Sequence, residues 1–209
     1  MIKLGILSST RGTDVQAIID AINSKKINAA ISVVISNKKD AFALERAKRH
    51  GITAVFIDAS NKDRECYDKE AAKELDKSNV DLILLIGYMR SLSPWFVRKY
   101  KDKIINIHPS LLPAFAGGMD KDVHKEVLEH GCKITGCTLH FVNESLDAGP
   151  IIMQKAVEID NDETADSLKE KVQKAEQEIL VRAIALFEKE KIKIDGRKVR
   201  IDEYILKND

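Results

Sequence analysis

Two hydrogen-bonding residues end the apolar run 103–108, KIINIH. Side chains alternate across an extended strand, so Ile105 and Ile107 face one way while Asn106 and His108 face the other. A carboxamide and an imidazole side by side can meet a developing oxyanion with fixed donors, or move a proton. The same pair is also compatible with a strand end emerging into water. The following HPSLLP places two prolines against the histidine and favours a rigid loop there. Asp147 lies in NESLDAGP, between two β-type runs. It is either a turn former bonded to its own backbone, or a carboxylate that pairs with His108 if the turn folds over that strand end. The distance between them is not readable from sequence.

Two further places carry chemistry of a weaker kind. In SSTRGTD, Gly12 lets the backbone approach a ligand, and a helix beginning there offers free amides to a phosphate. The segment is neither a GxGxxG fingerprint nor a P-loop, and a plain strand–helix turn capped by Thr13 or Asp14 fits equally well. Glu176 falls on or beside the apolar stripe Leu168, Val172, Ala175, Ile179, Ala183, Leu186. It is either a boundary glutamate reaching for water or a carboxylate aimed at a ligand amine.

These residues need elements to position them. Strands are predicted over Ile2–Leu7 and residues 31–36, 54–58, 81–87 and 103–108. Helices are predicted over 14–22, 41–50 and 63–77, with Asp40 capping the second and Gly51 stopping it. Ser93-Pro94 starts a short helix, and another spans 123–130. Long β runs at 134–142 and 151–159 precede a helix at 164–189, and Asp195-Gly196 is predicted as a two-residue hairpin turn. Repeated strand–helix–strand order implies an α/β fold. It is a doubly wound, mostly parallel sheet with helices on both faces, an antiparallel extension and a C-terminal hairpin. With no linker or internal repeat, residues 1–209 form one domain.

The 34 basic and 33 acidic side chains give a net charge of +1 and no electrostatic case for a nucleic-acid or membrane partner. Cys66, Cys132 and Cys137 are odd in number and lack CxxC spacing, which argues against a disulfide framework and against zinc. They are expected to be reduced packing residues. With no signal-peptide pattern and no membrane-length apolar run, a cytoplasmic protein is expected.

NIHPSLLPAF, followed about forty residues later by LDAGPII, resembles the formyltransferase domain that uses 10-formyltetrahydrofolate. GTDVQAIIDA, ISNKKDAFALERA and GYMRSLSPWFV extend the likeness over nearly the whole chain, to the phosphoribosylglycinamide formyltransferase family. The resemblance implies an enzyme of purine (IMP) biosynthesis on a Rossmann-like formyltransferase fold. Residues 1–100 would be the nucleotide- and phosphate-binding half, and 101–209 the catalytic and folate-binding half. The implied catalytic set is Asn106, His108 and Asp147. Gly12, Thr13 and Asp14 would bind the phosphate of glycinamide ribonucleotide, and Gln173, Lys174, Ala175 and Glu176 its glycinamide end. Arg64, Met89, Arg90, Ser91, Leu92, Asn106, Asn143, Glu144, Ser145, Leu146 and Asp147 would surround the folate. The implied partners are these two small molecules alone, with no metal, in a monomer or weak homodimer.

Two departures accompany the likeness. Family members commonly have Asn where this chain has Asp14, which sets a carboxylate near a phosphate, with Arg11 available to compensate. The loop AFAGGMDKDVH replaces an AFPG-type continuation. For the chemistry, Asn106 and a protonated His108 would stabilise the oxyanion, with Asp147 raising the histidine's pKa. A methionyl-tRNA formyltransferase is expected to carry an added basic C-terminal domain, and a formyltetrahydrofolate hydrolase an N-terminal regulatory one. The length argues against both. A dinucleotide oxidoreductase or binding module would need a fingerprint after the first strand, and SSTRGTD does not supply one.

Overall fold

The structure is a computed structural model and describes residues 1–117 and 122–202. Strand and helix alternate through β1 (Ile2–Leu7), α1 (Thr13–Asn23), β2 (Ala29–Ser36), α2 (Phe42–Arg49), β3 (Thr53–Phe56), α3 (Arg64–Lys77), β4 (Leu82–Leu85), α4 (Pro94–Lys99) and β5 (Ile104–His108). A short α5 (Val123–Glu129) leads into β6 (Ile134–Phe141) and β7 (Ile151–Glu158). The long α6 (Ala165–Glu188) and a hairpin of β8 (Ile192–Asp195) and β9 (Lys198–Ile201) follow.

One seven-stranded sheet runs β3-β2-β1-β4-β5-β6-β7. The first five strands in that order pair in parallel, while β6 and β7 are antiparallel. Parallel strands need apolar residues on both faces, because helices cover both. In β4, Leu82 and Leu84 enter a core shared with α1, α2 and α6, whereas Ile83 and Leu85 enter another with α3 and α4. The order changes direction between β1 and β4, so a crevice opens beyond the carboxyl ends of these strands.

Local chemistry sets the helix starts. The Asp63 side chain accepts from the Cys66 amide at 2.7 Å, and Ser93 caps α4 ahead of Pro94. Thr164 and Ser167 cap α6 reciprocally. Asp40 does not cap α2: the N-cap is Ala41, and the Ala43 amide bonds the Thr10 carbonyl at 3.3 Å. The β1–α1 loop thus takes the donor that a cap would have satisfied. The terminal hairpin is one residue out of the expected register. Asp195 pairs with Lys198, so the turn residues are Gly196 and Arg197. Gly196, at φ 59°, takes the first turn position, where positive φ is tolerated without a side-chain clash. Among the described residues, no helix is long and apolar enough to cross a membrane.

Candidate active site

At the carboxyl end of β5, His108 is only 6% exposed and Asn106 half-buried. The turn after β6 reaches over this strand end. It can do so because Gly149 lies flat on β6, where an added Cβ would stand 1.7 Å from the Phe141 carbonyl oxygen. Asp147, at φ 50°, is thereby aimed inward, in a left-handed conformation that Asp tolerates better than most residues. Its Oδ2 lies 3.5 Å from His108 Nδ1 and accepts the Gly117 amide at 3.0 Å. The other ring nitrogen, Nε2, is 3.1 Å from the Phe115 carbonyl oxygen. Both nitrogens face oxygen acceptors.

Phe115 is held there by a stapled loop. The buried Thr138 hydroxyl accepts from the Leu112 amide at 2.9 Å and from Gln154 Nε2 at 2.9 Å, and donates to the Ser110 carbonyl at 2.7 Å. Gln154 also donates to the Leu112 carbonyl at 3.0 Å. The HPSLLP loop is therefore fixed to β6 and β7 by side chains, as well as by its prolines.

A fourth polar residue belongs to this group and was missed in the sequence. His140 sits directly across the ladder from Asn106, with its Nε2 3.1 Å from Asn106 Nδ2 and 3.7 Å from Asp147 Oδ1. Its Nδ1 lies 2.9 Å from the Phe141 carbonyl oxygen. Burial lowers its pKa below the ordinary imidazole value, against the opposing pull of that carbonyl and of Asp147. The available signal was a histidine inside the apolar run ITGCTLHF. What gives it meaning is the register with Asn106, which sequence does not carry.

The group opens onto a cavity of about 740 Å³. Every residue expected around the folate lines it, from Arg64 on α3 and Met89–Leu92 after β4 to Asn143–Asp147 in the turn. Both halves of the chain thus contribute to its walls. Arg90 stacks on the Tyr67 ring at 4.4 Å, and Arg98 ties α4 to Glu144 at 3.0 Å. Met89 and Leu146 leave about half their surface exposed at this cavity. Residues 118–121 of the loop AFAGGMDKDVH lie outside the described residues.

Gly12, Thr13 and Asp14 are not among the residues that line the cavity, but their loop abuts it. The Ser9 amide donates to the Gly87 carbonyl at 3.0 Å, and the Met89 amide to Ser9 Oγ at 2.9 Å. Neither Thr13 nor Asp14 is the N-cap of α1. Gly12 takes that position at φ 63°, with no side-chain cap. An added Cβ at Gly12 would stand 2.8 Å from Ala43, so the loop can pack this closely only as glycine. Asp14 is 5% exposed, and its Oδ1 finds no hydrogen-bond partner among the described residues. Burial raises its pKa to about 6, opposed by a bond from Gln177. The Arg11 side chain is exposed and is not among the groups that shift Asp14.

Glu176 is 7% exposed, so the boundary reading fails. Burial, and then the charge of Asp14, hold its pKa well above the ordinary carboxylate value. Gln173 lies one helical turn earlier and is half-buried, whereas Lys174 projects into solvent and Ala175 packs in the core. The buried Cys137 thiol is pushed up to about 12 by burial and by Glu176. Cys132 is half-buried and also free, but Cys66 is exposed and is not the packing residue expected.

Comparison with known proteins places this geometry. The model of the family described as Formyl transferase matches residues 2–184. The chain is 39% identical to the phosphoribosylglycinamide formyltransferase of Escherichia coli (strain K12), covering 94% of this chain and 92% of that protein. It is 44% identical to the trifunctional purine biosynthetic protein adenosine-3 of Drosophila melanogaster. That match covers 88% of this chain but only 14% of the much longer relative. Among solved structures, glycinamide ribonucleotide transformylase 1 from Symbiobacterium toebii superimposes with a TM-score of 0.91 at 41% identity, covering 96% of this chain and 94% of that one.

Proposed function

The chain belongs to the formyl transferase family, and from that premise we propose that it moves the formyl group of 10-formyltetrahydrofolate to the amine of glycinamide ribonucleotide, a step of purine biosynthesis. The observation that carries this reading is the convergence of Asn106, His108 and Asp147 on one cavity, with the folate-side residues of the resemblance along its walls. A volume of about 740 Å³ suits a ligand of folate size.

The amine nitrogen attacks the formyl carbon, and the carbonyl electron pair moves onto oxygen. The Asn106 carboxamide and the cationic His108 donate to that oxyanion, with Asp147 favouring the cation. Collapse of the intermediate breaks the bond from carbon to N10 of the folate. N10 gains a proton and the attacking amine loses one, so no metal and no covalent enzyme intermediate is required. Gly12, Thr13 and Asp14 take the phosphate, Gln173 and Glu176 the glycinamide end, and both substrates are small molecules.

The test is to follow 10-formyltetrahydrofolate with and without glycinamide ribonucleotide. Loss of the formyl donor only in the presence of the ribonucleotide, with formylated product, supports the transferase. Formate release without any amine would make the chain a hydrolase.

A further inference from the structure

Asn106 can stabilise an oxyanion only if its amide nitrogen, and not its oxygen, is on the cavity side. A carboxamide is nearly symmetric in shape, so something must choose between its two orientations. The only protein group within hydrogen-bond distance of the Asn106 side chain, among the described residues, is His140 Nε2 at 3.1 Å. His140 therefore decides the choice, and its own protonation state decides what it accepts or donates.

That state follows from the other ring nitrogen. His140 Nδ1 lies 2.9 Å from the Phe141 carbonyl oxygen, a pure acceptor, so Nδ1 carries a proton. In a neutral ring Nε2 is then a lone pair, and it can only accept. Of the two ends of Asn106, only Nδ2 can donate to it. The alternative tautomer would set the Nδ1 lone pair against the Phe141 carbonyl at this distance, which is repulsive. A doubly protonated ring would donate from both nitrogens and turn the carboxamide round, with its oxygen toward His140.

We propose that His140 is a positioning residue, whose neutral, Nδ1-protonated ring accepts one N–H of the Asn106 carboxamide and so leaves the other N–H for the reacting oxygen. The inference rests on the reading of Asn106 as an oxyanion donor given above. It explains why two histidines flank one carboxylate with different hydrogen-bond surroundings. Asp147 Oδ2 faces His108 Nδ1 at 3.5 Å and Oδ1 faces His140 Nε2 at 3.7 Å. His108 has acceptors at both nitrogens and takes the cationic part. His140 has the Phe141 carbonyl at one nitrogen and, nearest the other, the Asn106 amide nitrogen at 3.1 Å with the carboxylate farther off at 3.7 Å, and takes the neutral part.

The charged groups bearing on His140 are Asp147 from the turn, which favours its cation, and His108 from β5, which opposes it. Burial also opposes it, so the acceptor persists through the neutral range. In acid a second proton enters at Nε2, the acceptor becomes a donor, and kcat falls on that side.

Two measurements test this. Long-range proton–nitrogen NMR of the uniformly labelled enzyme, with His140→Gln to assign the signal among five histidines, reads the tautomer directly. At neutral pH a protonated Nδ1 and a bare Nε2 are expected; a protonated Nε2 overturns the proposal, whatever the kinetics show. The second is a double-mutant cycle. His140→Leu should lower kcat about 10-fold, short of the 10²–10³-fold for removing an oxyanion donor outright, with KM little changed. In an Asn106→Ala background the same change should have almost no effect. Equal losses in both backgrounds would mean that His140 serves only packing. Should His140→Leu fail to fold, the tautomer of the unaltered protein decides. Near-normal turnover in Asn106→Ala alone would instead overturn the oxyanion reading.

Discussion

An imidazole with a carboxylate nearest one nitrogen and a backbone carbonyl nearest the other meets oxygen acceptors on both sides. That is the position of His108, between Asp147 and Phe115. In its neighbour His140 the group nearest Nε2 is instead the Asn106 amide nitrogen, at 3.1 Å. At the residue scale the pair differ because of what each nitrogen touches, since both rings are almost wholly buried. Glu176 belongs to the same scale. Buried and facing the charge of Asp14, it holds its proton more tightly than an ordinary glutamate. Glu176→Gln imitates the protonated acid in size and leaves the fold intact. If the ionised carboxylate holds the substrate, KM for glycinamide ribonucleotide should rise roughly 10-fold, as for loss of a charged hydrogen bond. An unchanged KM and kcat would remove Glu176 from the substrate site.

Single elements decide whether these side chains meet. The β5–β6 register puts Asn106 opposite His140, and the Thr138 hydroxyl locks the HPSLLP loop that presents the Phe115 carbonyl. Thr138→Val keeps the shape but strips three hydrogen bonds from a buried site. A loss of about 1–3 kcal/mol is expected in denaturant unfolding, together with a several-fold lower kcat as Phe115 shifts. Unchanged stability and rate would show that the prolines alone suffice. Much at this scale was legible in sequence. The alternation in KIINIH separated Asn106 and His108 from Ile105 and Ile107, and Ser93-Pro94 announced a helix start. What escaped were pairings between distant segments. Thr10 takes the amide that Asp40 would have capped, and His140 means nothing until a ladder aligns it with Asn106.

On the scale of the whole molecule, the sheet sets two buried acids from opposite ends of the chain against each other, Asp14 on α1 and Glu176 on α6. The doubly wound order was readable from alternating apolar runs, but this juxtaposition depends on how α6 crosses back over α1. The folded-state pKa of Asp14, about 6, exceeds its unfolded value near 3.8. Between these values the unfolded chain releases its proton while the folded one keeps it, so stability falls as pH rises through that window. The cost is complete above about pH 6 and amounts to roughly 3 kcal/mol at this shift. Asp14→Asn should therefore raise Tm by several degrees at pH 8 and by almost nothing at pH 3.5. An equal gain at both pH values would show that the carboxyl pays no ionisation penalty in the fold.

The same packing brings the turn from beyond β6 over β5, and so puts Asp147 beside His108. The most direct measurement is single-turnover formyl transfer by Asp147→Asn, with both substrates saturating and thermal unfolding followed in parallel. The expected result is a rate about 10²–10³-fold lower, with Tm close to that of the unaltered protein, because an amide fills the same space but removes the carboxylate charge from beside His108 Nδ1. A well-folded Asp147→Asn that transfers formyl at nearly the full rate would contradict a catalytic role for this carboxylate.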